Sequence, residues 1–160
     1  NWLNEGLGEF FNSTRFIRTE GKGGKAVVEF VENTYRQGAI DYTIKMGWKF
    51  VALSDLLKFS REQFYGKEST GHYYDVSWAL VYYLLKGTAE GSPYRKIIPT
   101  YLGTLEETRN PDAAYEAAFE GIDIAALDRD WLAFFENQAL RAKILHSGQA
   151  APILIPRQRK

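Results

Sequence analysis

Apolar residues recur along most of the chain at the spacing of amphipathic helices, and short polar or glycine-rich stretches separate the helical segments. The first segment, residues 2–12, is predicted to be a helix. Its apolar side chains, three or four residues apart, are Leu3, Leu7, Phe10 and Phe11. The segment AVVEFV, residues 26–31, follows a glycine-rich loop and is rich in valine, which predicts one short strand or extended segment.

Residues that cap helix N-termini mark the next helices. Asn33 precedes a segment that is predicted to be helical. The apolar face expected for that helix comprises Tyr35, Ala39, Tyr42 and Met46. Ser60 and Gln63 have the spacing of a capping box, which predicts a short helix that ends near Gly66. Ser54 is expected to begin another short helix between these two.

The segment YYDVSWALVYYLLKG, residues 73–87, is apolar on nearly every side. A helix with this pattern is surrounded by other elements, whereas a surface helix has a single apolar stripe. We therefore expect residues 74–86 to form the most buried helix of the domain, with Trp78, Leu80 and Tyr82 shielded from solvent.

Three more helices are predicted in the second half of the chain. Ser92 and Pro93 begin the first, in which Pro99 is expected to cause a kink or to delay the start. Asn110 precedes the second, which has Pro111 in its first turn. The third is expected to cover residues 123–145. Its inward-facing side chains are predicted to be Ile124, Leu127, Trp131 and Phe134.

These elements predict an all-α fold with at most one short strand or hairpin. Seven or eight helices are expected in total. Residues 1–147 are assigned to one helical domain, and residues 148–160, which contain two prolines and terminal charges, are assigned to a C-terminal tail.

Composition narrows the classes of function. The chain has 20 Lys and Arg and 20 Asp and Glu residues, so its zero net charge gives no electrostatic reason to expect nucleic acid or an anionic membrane surface as a partner. The absence of cysteine excludes disulfides, thiolate metal ligands and a cysteine nucleophile. The longest apolar run, WALVYYLL, is too short for a membrane span, which needs about 20 residues.

The first helix carries candidate chemistry. Its sequence WLNEG, residues 2–6, resembles the third-ligand helix of gluzincin zinc metallopeptidases, above all the aminopeptidase-N-like members. In that superfamily an HExxH helix supplies two histidine ligands and the general-base glutamate, and a second helix supplies a glutamate as third ligand. The resemblance implies that Glu5 is this ligand. A catalytic zinc keeps three protein ligands and one open position.

The buried central segment extends the resemblance. Gluzincins carry a tyrosine at the start of a buried helix, several tens of residues after the third ligand, and its hydroxyl binds the oxyanion of the tetrahedral intermediate. The segment YYDVSWALVYYLL is similar to that helix and matches the tyrosine to Tyr74. The later helices resemble those of bacterial peptidase-MA-like domains of uncharacterised function, so the similarity covers roughly residues 1–137. It implies a helical C-terminal subdomain of a metallopeptidase-like domain.

The HExxH motif itself is absent from this chain, whose histidines are His72 and His146. The motif is expected upstream of Asn1, which makes the chain the expected C-terminal part of such a domain. One glutamate cannot hold a catalytic zinc. Zn²⁺ and a peptide substrate are therefore expected for the intact parent, and neither bound zinc nor activity is expected for this chain alone.

Each candidate residue also has a purely structural interpretation. Glu5 could be a solvated carboxylate, and Glu9, one turn later, either faces the same site or is an ordinary surface charge. Tyr74 could be a core tyrosine with a local hydrogen-bond partner, and the adjacent Tyr73 is easily confused with it. His72 either lines the cleft or is simply a histidine at a helix start.

Two functions follow from the sequence. One is a C-terminal fragment of a zinc-dependent peptidase, and the other is a non-catalytic helical binding or scaffold module, including a degenerate peptidase-like domain. The missing HExxH helix predicts an exposed apolar face beside the first helix, through which a homo-oligomer would form or the tail would dock. The resemblance and the lack of cysteine favour a secreted or periplasmic bacterial protein.

Overall fold

The computed structural model describes residues 1–18, 26–30, 33–66 and 69–137. The α-helices in these residues are α1 (Trp2–Asn12), α2 (Thr34–Lys45), α3 (Leu53–Leu56), α4 (Arg61–Tyr65), α5 (Thr70–Tyr82), α6 (Ile97–Thr108), α7 (Pro111–Phe119) and α8 (Ile124–Glu136). The strands β1 (Thr14–Arg18) and β2 (Ala26–Phe30) form an antiparallel hairpin in which Thr14 lies opposite Phe30. The predicted all-α fold with at most one short hairpin is confirmed.

The chain has two compact units, Asn1–Tyr82 and Tyr83–Lys160, and the second is described as far as residue 137. The predicted boundary between residues 147 and 148 lies outside the described residues, as does the tail. In the part of the chain that the structure describes, no helix is long and apolar enough to cross a membrane.

The centre of the first unit is α5, against which α1, α2 and α4 pack. Trp78 and Leu80 are fully buried, and Tyr82 is almost so. The predicted burial of this helix is therefore confirmed. The helix begins at Thr70, earlier than expected, and a π-helical turn over residues 83–87 follows it.

The closest approach between α1 and α5 is at Gly6. A Cβ atom at this position would lie 2.5 Å from the backbone oxygen of Ser77 and 2.6 Å from Cγ2 of Val81. Only glycine permits this contact without a shift of one of the helices. The larger buried residues of α1 are Trp2, Leu3 and Phe10. The contact brings Glu5, the neighbour of Gly6, alongside α5.

The predicted inward face of α2 is wrong. Asn33 caps the helix as expected, because its side chain accepts a hydrogen bond from the backbone N–H of Arg36. The buried residues of the helix are Ile40 and Thr43. Most of the predicted face is exposed instead, with Tyr35 75%, Tyr42 53% and Met46 47% exposed.

An ion cluster explains this orientation of α2. Arg36 precedes Ile40 and Thr43 by four and seven residues and so shares their side of the helix. Its guanidinium forms ion pairs with Glu9 of α1 and Asp75 of α5. A pattern based only on apolar residues assigns Arg36 to solvent, whereas the two carboxylates hold it between the helices.

Large apolar side chains are also exposed near α2. The ring of Trp48, which follows the helix, meets the Tyr42 ring edge-on at a centroid distance of 5.5 Å, and both rings are exposed. Phe11, one of the apolar residues of α1, is exposed as well. Self-association or tail docking through such a surface stays a prediction.

The predicted capping box fixes the start of α4. The Ser60 hydroxyl accepts from the backbone N–H of Gln63, and the Gln63 side chain accepts from the backbone N–H of Ser60. Phe64 is fully buried, and its ring lies 5.7 Å from the ring of Tyr74, centroid to centroid. This short helix is therefore attached to α5 by one buried aromatic side chain.

Two further predicted starts carry side-chain caps. The side chains of Ser92 and Asn110 accept backbone N–H groups at the starts of a 3-10 turn, Pro93–Lys96, and of α7, and Asp123, which was not predicted as a cap, does so at the start of α8. The start of α3 differs from its prediction, because this helix begins after Ala52 instead of at Ser54.

The proline in α6 and the length of α8 complete the comparison for the second unit. Helix α6 begins at Ile97, after a 3-10 turn at Pro93–Lys96, which is the delayed start expected from Pro99. Pro99 is the third residue of α6, where a helix has no acceptor for an N–H group. Of the four predicted inward residues of α8, Leu127, Trp131 and Phe134 are buried and Ile124 is partly exposed. This helix ends at Glu136, and the rest of the predicted helix after Asn137 lies outside the described residues.

Candidate active site

The carboxylate of Glu5 is surrounded by side chains from three helices. The Tyr65 hydroxyl, at the end of α4, donates to Glu5 Oε1 over 2.5 Å. The Asn4 amide nitrogen donates to the same oxygen over 3.1 Å. Tyr74 of α5 belongs to the same cluster, because its hydroxyl helps to lower the pKa of the Glu5 carboxyl and its ring lies 6.5 Å from the Tyr65 ring, centroid to centroid. The predicted zinc ligand and the predicted oxyanion donor thus lie side by side.

These contacts keep Glu5 ionised. Burial raises the pKa of Glu5, but hydrogen bonds from Tyr65, Tyr74 and Asn4 lower it by more, so the pKa lies below its ordinary value. The side chain is only partly buried. An ionised carboxylate that is oriented by hydrogen bonds and still reachable from solvent has the properties of a metal ligand.

Both tyrosines keep their protons at neutral pH. The hydrogen bond to Glu5 raises the pKa of Tyr65 to about 12. Burial, together with the hydrogen bond to Glu5, raises the pKa of Tyr74. A protonated tyrosine is a hydrogen-bond donor. Both hydroxyls are therefore donors, and that of Tyr65 donates to Glu5 Oε1.

A second cluster adjoins the first along the same helices. Arg36 donates from Nε and Nη2 to the two oxygens of Glu9, each over 3.0 Å, and from Nη1 to Asp75 Oδ1 over 2.7 Å. The three side chains are only 15–20% exposed. Asn33 donates to the backbone oxygen of Glu9 over 3.3 Å. Glu9 is thus neutralised by a two-pronged ion pair and joins α1 to α2.

Arg36 connects the two clusters. Its guanidinium carbon lies 5.5 Å from the centroid of the Tyr74 ring. At this range a guanidinium attracts the face of an aromatic ring and restrains its position. Its other partner on α5, Asp75, directly follows Tyr74 in the chain. Tyr74 is therefore held from one side by Arg36, while its hydroxyl lies near Glu5.

Two other candidates occupy different surroundings. Tyr73 is buried, and its ring lies 5.1 Å from that of Phe59, centroid to centroid, so it belongs to the core of the first unit. His72 is half-buried and stacks on Phe50 with ring centroids 5.6 Å apart. Burial lowers the pKa of His72, while the charge of Asp75 opposes this shift. Tyr74 is the tyrosine of the pair that reaches Glu5.

Sequence reasoning missed Tyr65, Arg36 and Asp75. Tyr65 ends a short helix that was predicted, but nothing local indicates that its hydroxyl reaches α1. Arg36 lies three residues after the predicted cap Asn33, which gives its position on the helix but not its partners. Asp75 follows the candidate Tyr74, and a carboxylate in an otherwise apolar helix was the one available signal.

The described residues contain no group of three or more His, Cys, Asp or Glu side chains that could hold a metal ion. Glu5 would supply one ligand, and a catalytic zinc takes two further protein ligands. A zinc site that includes Glu5 therefore needs residues beyond those of this cluster.

Comparison with known families gives one match. A family model described as a protein of unknown function, DUF1570, matches residues 1–93, which include both side-chain clusters. No curated protein and no solved structure matches the chain.

Proposed function

The chain belongs to the DUF1570 family of proteins of unknown function, and we propose that it supplies the third zinc ligand and an oxyanion-binding tyrosine to a zinc-dependent peptidase. Glu5 is the proposed ligand and Tyr74 the proposed donor. The two histidine ligands and the general base would come from an HExxH segment outside residues 1–160. The substrate class is a peptide. The chain by itself would be inactive.

The observation that supports this proposal is that Glu5 and Tyr74 belong to one cluster: the Tyr65 hydroxyl donates to Glu5 over 2.5 Å, and the Tyr65 ring lies 6.5 Å from the Tyr74 ring, centroid to centroid. Glu5 and Tyr74 are far apart in the sequence, and Gly6 allows the close helix contact that brings them together. Peptide hydrolysis at a metal needs this combination, because one group must hold the cation and another must bind the oxygen on which charge develops. A solvated glutamate and an ordinary core tyrosine would not need to meet.

Glu5 fits the role of a zinc ligand because it is ionised, partly exposed and oriented by donors from Asn4 and Tyr65. Zinc, when bound, would supply Lewis-acid polarisation of the peptide carbonyl and would lower the pKa of a water molecule. Glu5 would contribute a negative charge and a carboxylate held in one orientation toward the metal.

Tyr74 would donate its hydroxyl hydrogen to the carbonyl oxygen of the scissile peptide bond as negative charge builds up there. Its raised pKa keeps the proton on the hydroxyl at neutral pH. Arg36, over the ring, would hold the tyrosine in place without touching the substrate. Donors of this kind accelerate acyl transfer by about 10²–10³.

The alternative is a non-catalytic helical module that binds another molecule or serves as a scaffold. The exposed rings of Tyr35, Tyr42 and Trp48 favour it, because aromatic side chains are enriched where proteins bind one another. A degenerate peptidase-like domain would combine the two, with the Glu5 site intact and no HExxH elsewhere in the protein.

The proposal is tested in the protein that includes the HExxH segment. Glu5→Gln should abolish stoichiometric zinc, measured by metal analysis, whereas Glu9→Gln should retain it. Tyr74→Phe should retain zinc and lower kcat for peptide hydrolysis by about 10²–10³, with Tyr42→Phe as the matched control. Full zinc content in Glu5→Gln would contradict the proposed peptidase role and leave the non-catalytic helical module as the remaining function.

A further inference from the structure

We propose that Tyr65 is a positioning residue that orients Glu5 for zinc, and this inference rests on the function proposed above. The residue lies on α4, between the WLNEG segment and the segment YYDVSWALVYYLL, and belongs to neither. Its hydroxyl forms the shorter of the two hydrogen bonds to Glu5 Oε1, at 2.5 Å, against 3.1 Å for Asn4.

The local structure of α4 holds Tyr65 at this place. The capping box of Ser60 and Gln63 sets where the helix begins. Phe64 is fully buried and anchors the next residue. The helix ends at Gly66, where a Cβ atom would lie 2.5 Å from the backbone oxygen of Glu62. These constraints fix the backbone at Tyr65, which is 37% exposed.

The Tyr65 ring is restrained on its faces as well. The Phe64 ring lies 5.0 Å away and the Tyr74 ring 6.5 Å away, centroid to centroid. The guanidinium carbon of Arg61 is 5.7 Å from the ring centroid. A ring that is held in this way delivers its hydroxyl to one point, which is what an orienting group requires.

The hydrogen bonds distinguish the two oxygens of Glu5. Tyr65 and Asn4 both donate to Oε1. An oxygen that accepts two hydrogen bonds has its lone pairs directed at those donors. Tyr65 would therefore fix the plane of the carboxylate, and Glu5 would offer zinc a negatively charged ligand in one orientation.

Tyr65 and Tyr74 therefore have different roles. The Tyr65 hydroxyl donates to Glu5, so its removal should weaken metal binding. Tyr74 acts on the substrate oxygen, so its removal should lower the rate in a protein that still holds zinc. Zinc affinity and turnover separate the two roles.

The test uses the protein with its HExxH segment and measures the zinc dissociation constant by competition with a chelator. Tyr65→Phe removes one hydroxyl and keeps the ring. It should bind zinc about 10–100-fold more weakly, as is typical when a group that orients a metal ligand is lost. Tyr42→Phe removes an exposed hydroxyl distant in sequence from the Glu5 cluster and should not change the affinity.

A structural role must be separated from a positioning role. The unfolding midpoint of the zinc-free protein should be the same for Tyr65→Phe and Tyr42→Phe, and the visible spectrum of the cobalt-loaded protein should change only for Tyr65→Phe. A loss of zinc affinity that merely follows a lower unfolding midpoint would overturn the proposal.

The Glu5→Gln variant distinguishes failure of this inference from failure of the proposed function. If Glu5→Gln loses zinc and Tyr65→Phe binds it as tightly as Tyr42→Phe, Tyr65 has no positioning role and Glu5 remains the ligand. If Glu5→Gln binds zinc as tightly as the unmodified protein, both proposals are wrong.

Discussion

Gly6 of α1 faces the backbone oxygen of Ser77 on α5 so closely that a Cβ atom at Gly6 would lie 2.5 Å from that oxygen. The two helices meet where the first carries Glu5 and the second carries Tyr74. The close packing of α1 on α5 therefore explains why WLNEG has a glycine at position 6, whatever chemistry Glu5 performs. The glycine sets the distance between the helices, and that distance sets which side chains can share a site.

Gly6→Ala should destabilise the protein by about 1–3 kcal/mol, because the added methyl group forces α1 away from α5. Gly8→Ala is the matched control, since a Cβ atom at Gly8 meets nothing within 4 Å. It should stabilise α1 by about 0.5–1 kcal/mol, because glycine is a poor residue inside a helix. Urea unfolding measures both. Equal effects of the two substitutions would refute the close contact.

Arg36→Met should lower the free energy of unfolding by about 1–3 kcal/mol, because Glu9 and Asp75 would lose a charged partner while remaining largely buried. Lys49→Met, which removes an exposed positive charge, should change it by less than about 0.5 kcal/mol. Arg36→Lys should fall between them, since an ammonium group cannot form the two-pronged contact. A result for Arg36→Met like that for Lys49→Met would mean that the cluster adds nothing to stability.

His72 should make stability depend on pH. Burial lowers its pKa in the folded protein from the ordinary value of 6.5, so folding favours the neutral ring. The stabilisation is complete above pH 6.5 and is lost as the pH falls through the lower folded value. The comparison protein is His72→Gln, which removes the titrating ring and keeps its charged neighbour Asp75. Between pH 7.5 and 5, the unmodified protein should lose more unfolding free energy than His72→Gln, and parallel losses would contradict this.

The elements that sequence predicted well are those whose signals are local. The capping box of Ser60 and Gln63 needs only residues three apart, and the caps Asn33 and Asn110 act on the N–H groups that follow them. The buried helix α5 was evident because apolar residues cover almost its whole surface. These features depend on spacing within one segment, which a sequence displays directly.

The features that sequence did not predict depend on contacts between segments. The prediction of the inward face of α2 was wrong because Arg36 is polar. The burial of Arg36 depends on carboxylates from two other helices. Tyr65 was missed for the same reason, since its partner Glu5 lies on α1. The pairing of Glu5 with Tyr74 could be expected only through the resemblance to metallopeptidases.

The central claim is that Glu5 is a zinc ligand beside Tyr74. Its most direct test is anomalous X-ray diffraction at the zinc absorption edge, from crystals of the zinc-loaded protein that includes the HExxH segment. We expect one anomalous peak about 2.0–2.2 Å from an oxygen of Glu5, with two imidazole nitrogens from outside residues 1–160 as the other protein ligands. A peak that has no bond to Glu5, or the absence of any peak, would contradict the role of Glu5 as a zinc ligand.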